Sequence, residues 1–112
     1  MAAFDQGDIV RVPFPYTDGN TRQHRPALVV SRGPVAGGHL LWVLMITSAE
    51  NRPWPGDVPL GDAYGACGLP APSVVRTAKI ATIEAAKADR IGHLPPELLA
   101  QTRLRIAETL SP

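Results

Sequence analysis

The chain has 112 residues and a formal net charge of +1, from 11 basic and 10 acidic residues. This length fits one domain, over residues 1–112, and a charge so close to zero excludes a protein that is basic over its whole surface. The longest apolar run, 40–46, is far shorter than the roughly 20 residues of a membrane-spanning helix, so we expect no membrane contact. The N-terminus lacks the pattern of a signal peptide and Cys67 stands alone, which predicts a cytoplasmic protein.

The first half of the chain alternates strand-like runs with loops of turn residues. DIVRV at 8–12 alternates and is β-branched, and two apolar runs follow, PALVVS at 26–31 and HLLWVLMITS at 39–48. Residues 13–25, between the first two runs, have turn chemistry throughout and are predicted to form a loop or hairpin tip.

Gly37 and Gly38 separate the two apolar runs and favour a tight antiparallel reversal. Such a reversal makes the runs neighbouring strands and brings the start of the first beside the end of the second. We expect the middle of the second run to be buried, with Trp42 in the core.

The second half of the chain adds shorter strands and ends in a helix. DVPL at 57–60 predicts a short edge strand, SVVRTAKIATIE at 73–84 one or two strands, and DRIGHL at 89–94 a last one. Two prolines at 95–96 suit the first turn of an amphipathic helix. Its apolar side is predicted to hold Leu98, Leu99, Ile106, Ala107 and Leu110, with Leu104 outside it. The expected fold is mainly β with a C-terminal helix, a small, curled antiparallel barrel.

Positive charge is concentrated in one part of the chain. Between residues 19 and 52, four arginines stand against the single acid Glu50, a net charge of +3. Such a segment offers a polyanion a local basic surface on a nearly neutral protein, although a few solvated surface arginines give the same count. Arg22, His24 and Arg52 are the candidates for substrate contact in this segment.

Arg25 precedes Pro26, and a residue before proline is held in extended backbone. Its guanidinium therefore leaves the start of a strand in a defined direction, and the planar fork of donors matches phosphoryl oxygens. Two readings stay open: a phosphate ligand, or an arginine that pairs with a carboxylate at the end of the barrel.

Thr47 and Ser48 end the second apolar run, where hydroxyls either bond to local backbone groups or face a ligand. The predicted hairpin places Thr47 beside Arg25. A guanidinium and hydroxyls at the rim of a barrel form a plausible cradle for an RNA phosphate.

Trp54, in the loop NRPWPGD, can stack on an RNA base or cover a dimer interface. The histidines and the single cysteine have no spacing that supports a metal site. We therefore expect neither a metal nor another cofactor.

Five runs stand in an order and at separations that are hard to obtain by accident: GDIVRVPFPYTDG, HRPALVVS, MITS, SVVRTAKIATIE and RIGHLPPELL. Together they cover most of the chain and resemble the MazF/PemK family of toxins from bacterial toxin–antitoxin pairs. The resemblance implies an SH3-like barrel of the MazF/PemK/CcdB type that forms a homodimer and is blocked by a cognate antitoxin. It also implies a metal-independent endoribonuclease on single-stranded RNA, in which the substrate's 2′-hydroxyl attacks and leaves a 2′,3′-cyclic phosphate and a 5′-hydroxyl.

Carried over by position, the resemblance assigns Arg25 to the reacting phosphate, Thr47 to positioning and Arg76 of the VVR strand to catalysis. In a subset of the family an aspartate follows that arginine by two positions, where this chain has Ala78. Asn20 lies near the place of a first-loop histidine of the family and is added to the substrate-contacting candidates.

The missing aspartate leaves the general base open, with His24 as the candidate. It also leaves open a function of another class. A catalytically weakened barrel of this type is expected to act as a non-enzymatic binder, either as a toxin of DNA gyrase or as an interaction module.

Overall fold

The structure, a computed structural model, describes residues 4–14 and 23–112. Its elements are β1 (Asp8–Phe14), β2 (Gln23–Val29), β3 (Leu40–Ser48), β4 (Asp57–Pro59), β5 (Ser73–Glu84), β6 (Asp89–His93) and α1 (Pro96–Leu110). These six strands form one antiparallel sheet in the order β4-β5-β3-β2-β1-β6, which leaves β4 and β6 at its two edges. A single α-helix follows the last strand, so the predicted class, mainly β with a C-terminal helix, is confirmed, although the sheet is open and not a closed barrel.

The hairpin of β2 and β3 forms as the two central glycines predict. Gly37 and Gly38 both have positive φ, 72° and 97°, a conformation that costs glycine no steric clash. The strands are antiparallel, with Ala27 opposite Met45. The start of β2 and the end of β3 therefore meet at one end of the sheet.

The predicted loop 13–25 is shorter than expected. β1 continues to Phe14 and β2 begins at Gln23, because the two strands pair all the way to that point. His24 and Arg25 consequently belong to β2, where Arg25 lies opposite Val12. Tyr16, Asn20 and Arg22 lie outside the described residues.

The run 73–84 forms one long strand that is interrupted by an irregularity. β5 pairs with β3 as Leu44 opposite Ile80 and then Met45 opposite Arg76, so the register shifts between these pairs. Beyond the shift, β5 also pairs with β4, which places Asp57 opposite Arg76. The short edge strand thus brings a carboxylate next to a buried arginine.

Both sides of the sheet carry core. One side buries Val10, Val29 and Val43 with their neighbours, and the other, onto which α1 packs, buries Ile9, Leu28 and Leu44. Alternation along β3 sends every second side chain to the opposite face. The core prediction for Trp42 is wrong, because its side chain is 50% exposed on the face opposite Leu41 and Val43.

The helix covers the second core with fewer apolar residues than predicted. Leu98, Leu99 and Ile106 pack against it, and Thr102 is fully buried with its hydroxyl bonded to a carbonyl oxygen one turn earlier. Ala107 and Leu110 are exposed, because the last turn continues past Ile106, the last residue of α1 that packs on this core. Within residues 4–14 and 23–112 no helix is both long and apolar enough to cross a membrane.

Candidate functional site

A cavity of about 640 Å³ opens where the start of β2 meets the end of β3. Four of the residues singled out from the sequence line it together: His24, Arg25, Thr47 and Ser48. The other lining residues come from the strands other than β4, from the turn after β3 and from the segment before β5: Arg11, Pro26, Ile46, Asn51, Gly68, Leu69, Pro70, Ala71, Pro72, Ser73, Asp89 and Ile91.

The register of the hairpin explains why Arg25 and Thr47 share this cavity. Ala27 and Met45 are opposite each other, and each candidate lies two residues further toward the same end of the sheet. Side chains two positions apart on a strand point to the same face. The predicted proximity of these strand ends is therefore present.

Thr47 is held by a residue that the sequence did not reveal. The amide Nδ2 of Asn51 donates to the Thr47 hydroxyl oxygen at 2.6 Å. The intervening turn is closed by Ser48, whose hydroxyl and carbonyl oxygens accept from the backbone N–H groups of Glu50 and Asn51 at 3.2 and 3.1 Å. Because the hydroxyl oxygen accepts from Asn51, its own proton is left to donate to a ligand in the cavity.

Two further charged residues, on β1 and β6, line the cavity. Arg11 lies opposite Asp89 across the strand pair, and both side chains are exposed. Counting Arg25, the cavity holds two guanidinium groups and one carboxylate, a net charge of +1 with His24 neutral. The cavity therefore attracts an anion and also presents a hydrogen-bond acceptor.

The apolar floor of the cavity depends on close backbone contact. Ile46 and Leu69 of the second core, and Ile91 that packs against it, also line the cavity. A Cβ atom placed on Gly92 would clash with the carbonyl of Cys67, and one placed on Gly68 would clash with the carbonyl of Ile91. The segment before β5 thus lies directly on β6, without space for side chains between them.

Arg76 lies elsewhere, and its side chain is 9% exposed. Its Nε and Nη2 donate to the two carboxylate oxygens of Asp57 at 3.2 and 3.0 Å, a bidentate ion pair. Nη2 also donates to the carbonyl oxygen of Arg52 at 2.8 Å. The guanidinium stacks on the ring of Trp54, 4.2 Å from its centroid. Arg76 therefore does not line the cavity with Arg25 and Thr47.

Arg52 and Trp54 lie on the loop that Arg76 holds. Both are exposed, Trp54 by 40%, and the backbone N–H of Trp54 donates to Asp57 at 2.9 Å. Gly56 continues the loop with φ of 89° and accepts from the Thr77 hydroxyl at 2.8 Å. Arg52 and Trp54 thus lie in the segment that follows Asn51, a residue of the cavity lining, but they do not line the cavity themselves.

In the part of the chain that the structure describes, no three His, Cys, Asp or Glu residues are grouped closely enough to hold a metal ion. Cys67 is buried, and burial raises the pKa of its thiol.

Two comparisons with known proteins agree with this description. A family model described as the PemK-like, MazF-like toxin of type II toxin–antitoxin systems matches residues 5–110. The class is thus that of the small toxins of type II toxin–antitoxin systems. Within that class, the chain belongs to the PemK-like, MazF-like toxin family, as the resemblance predicts.

Solved structures share the fold. MazF from Deinococcus radiodurans superposes with a TM-score of 0.77 at 23% identity, over 100% of both chains. An endoribonuclease in complex with its cognate antitoxin from Mycobacterial species gives 0.73 at 20% identity, over 98% of this chain and 95% of that one. The toxin MazF-mt6 of Mycobacterium tuberculosis gives 0.65 at 24% identity, over 88% and 92%. A search of curated proteins found no match to this chain.

Proposed function

We propose that this toxin is a metal-independent endoribonuclease that cleaves single-stranded RNA. The reaction is attack of a ribose 2′-oxygen on the adjacent phosphorus, with departure of the 5′-oxygen, and yields a 2′,3′-cyclic phosphate and a 5′-hydroxyl. The observation that carries the proposal is the convergence of Arg25 and Thr47 on one cavity in a chain of this toxin family.

The chemistry requires stabilisation of negative charge and transfer of two protons. The charge that grows on the phosphoryl oxygens is met by the Arg25 guanidinium and by the proton that Thr47 is free to donate. The 2′-oxygen loses a proton and the 5′-oxygen gains one. His24 and Asp89 are the lining groups whose side chains can act as proton carriers in this cavity.

The proposed catalytic pair is Arg25 and Thr47, without Arg76. The sequence-based assignment of Arg76 to catalysis has no support in its position, since Arg76 does not line the cavity and its Nε and Nη2 donate to Asp57 and to the Arg52 carbonyl. General acid–base help is worth about two to four orders of magnitude. The absence of an aspartate at position 78 is therefore compatible with slower cleavage.

The partners of the proposed reaction are single-stranded RNA, a cognate antitoxin and a second copy of the chain. Ser48 lines the cavity for contact with RNA, while Arg52 and Trp54 extend the contact surface along the loop. Complexes named as MazE–MazF among the structural relatives support the antitoxin as a partner. An RNA substrate and an antitoxin place the proposed activity in the cytoplasm.

The test is incubation of the purified protein with a mixed RNA in excess chelator, followed by mapping of the new ends. We expect 2′,3′-cyclic phosphate and 5′-hydroxyl ends from the wild type. Arg25→Ala should reduce the rate by at least about two orders of magnitude, the effect of removing one well-placed electrostatic donor. Arg103→Ala, on the exposed side of α1, is the matched control and should cleave at the wild-type rate.

An intact RNA pool after incubation with folded wild-type protein would contradict the enzymatic proposal. The non-enzymatic binder, directed at DNA gyrase or at another protein, would then be the function to test. Ala78 in place of the family aspartate is the feature that keeps this second function open.

A further inference from the structure

A densely bonded polar cluster outside the cavity centres on Arg76. Its guanidinium joins β5 to the loop between β3 and β4 through an ion pair, a hydrogen bond to a backbone carbonyl and a stacking contact. From this geometry we infer that Arg76 is a positioning residue. It fixes the loop between β3 and β4, residues 49–56, so that Asn51 orients the Thr47 hydroxyl and Trp54 presents its ring to RNA. The inference rests on the proposed function and names a determinant of the same site.

The Arg76 guanidinium is nearly buried and is engaged with the loop through its Nε and Nη2. Arg76 and Asp57 each expose 9% of their side chains, and the carboxylate occupies two donors of the guanidinium. A buried charge that loses its partner is strongly destabilised, so a phosphate cannot displace Asp57 without leaving that carboxylate unpaired. Arg76 therefore stabilises the loop and does not reach the reacting phosphate.

Arg76 is connected to the cavity through the backbone of the loop. Nη2 of Arg76 donates to the carbonyl oxygen of Arg52, the residue that follows Asn51. On its other side, Asn51 is fixed by its N–H bond to the Ser48 carbonyl. Because its own N–H and the carbonyl of the next residue are both bonded, Asn51 is held with its side-chain amide 2.6 Å from the Thr47 oxygen. A displacement of about 1 Å at a reacting group costs about 10²-fold in rate.

Arg76 also holds Trp54, the candidate for stacking on an RNA base. One face of its ring lies against the Arg76 guanidinium, yet 40% of the side chain remains exposed. The stacking contact and the backbone bond to Asp57 hold the ring in one orientation before any ligand binds. A pre-oriented ring loses less conformational freedom when an RNA base stacks on it. Arg76 is thus expected to affect substrate affinity through Trp54 and the rate of cleavage through Asn51.

The test is a double-mutant cycle on cleavage of one RNA oligonucleotide under single-turnover conditions. We expect Arg76→Lys and Asn51→Ala each to slow cleavage at saturating protein by about 10- to 100-fold. In the double variant the loss should equal that of the larger single variant, because both substitutions release the same hydroxyl. Arg76→Lys keeps the charge beside Asp57 but cannot retain the bidentate fork. Arg103→Ala serves again as the matched control.

A second readout requires neither RNA nor a working active site. In a Trp42→Phe background the fluorescence reports Trp54 alone, since the chain has two tryptophans. Arg76→Lys should shift the emission of Trp54 to longer wavelength and increase its quenching by iodide. Circular dichroism and the thermal midpoint establish that each variant is folded.

The outcomes separate the inference from the proposed function. Unchanged Trp54 emission in Arg76→Lys, or rate losses that multiply in the double variant, would overturn the positioning role. If either of these results is obtained while the wild type cleaves RNA and Arg25→Ala does not, the positioning role of Arg76 is refuted and the proposed function stands. If the folded wild type leaves every RNA intact, the proposed function fails, and the role assigned to Arg76 in cleavage fails with it.

Discussion

Asp8, at the start of β1, is a buried carboxylate that receives three kinds of donor. Burial alone would raise its pKa, but the backbone N–H of Asp5, the ring of His93 and the guanidinium of Arg90 together hold the pKa of Asp8 below its ordinary 3.8. The donor atoms lie 2.8 to 3.0 Å from the carboxylate oxygens. Asp8 thus ties β1 to β6 at the end of the strands away from Asp89.

A lowered carboxyl pKa stabilises the folded state at pH values above the ordinary value of the group, and this contribution is lost as the pH falls through the lowered value. We expect Asp8→Asn to reduce the free energy of unfolding by about 2 kcal/mol at pH 7, the scale of a few hydrogen bonds to a charged group. The difference from wild type should shrink below about pH 4. Thermal denaturation from pH 3 to 7 measures it, with Asp62→Asn, an exposed acid, as the control. A difference that stays constant down to pH 3 would contradict this assignment.

At the level of single residues, local sequence rules identified the candidate site residues whose placement depends only on their own stretch of sequence. Arg25 is predictable because proline follows it, and Thr47 because it ends an apolar run. Asn51 and Asp89 enter the cavity from other segments, and nothing in their own neighbourhoods indicates a site. Arg76 shows the converse, since its partner Asp57 lies 19 positions earlier and becomes visible only when β4 and β5 pair.

At the level of elements, the contact between β6 and the segment before β5 is unusually close. A Cβ atom on Gly92 would clash with the Cys67 carbonyl, and backbone on both sides leaves little freedom to relax. This contact shapes the cavity, because Gly68, Leu69 and Ile91 all line it. The glycine of DRIGHL is therefore required for packing.

We expect Gly92→Ala to destabilise the protein by about 1–3 kcal/mol or more, the range for overpacked sites. In a domain of this size each kcal/mol lowers the thermal midpoint by roughly 4 °C or more. Gly65→Ala is the matched control, because a Cβ atom there meets nothing within 4 Å and the backbone is helical. The control should be neutral or slightly stabilising. Equal midpoints for the two variants would show that the close contact relaxes without cost.

Element boundaries were predicted best for the two longest strand-like runs. The strands at 40–48 and 73–84 appear nearly as expected, while β1 and β2 extend into the predicted loop because pairing between them overrides local turn chemistry. The helix begins as the two prolines predict. The exposure of its last turn was not predictable, because helical periodicity cannot show where the core beneath the helix ends.

At the level of the whole molecule, two exposed apolar side chains on the sheet indicate where a second copy of the chain can bind. Trp42 lies opposite Thr82, and Ile80 is two residues from Thr82 on the same face of β5. The two side chains are 50% and 61% exposed on neighbouring strands. Exposed apolar side chains that lie side by side mark interaction surfaces more often than isolated ones do. This surface is the candidate contact with a second copy in the homodimer proposed above.

We expect light scattering after size exclusion to give the wild type a mass of twice 11.9 kDa at micromolar concentration. Ile80→Glu should give the mass of one chain while the far-ultraviolet dichroism stays unchanged, because a carboxylate buried without a partner opposes association. Leu110→Glu is the control, since that side chain is 77% exposed at the end of α1 and is not part of the Trp42 and Ile80 pair, and it should leave the dimer intact. A wild type that elutes as a monomer would contradict the homodimer. A dimeric Ile80→Glu variant would instead place the interface on another face, and the exposed Trp42 would then remain available to an antitoxin.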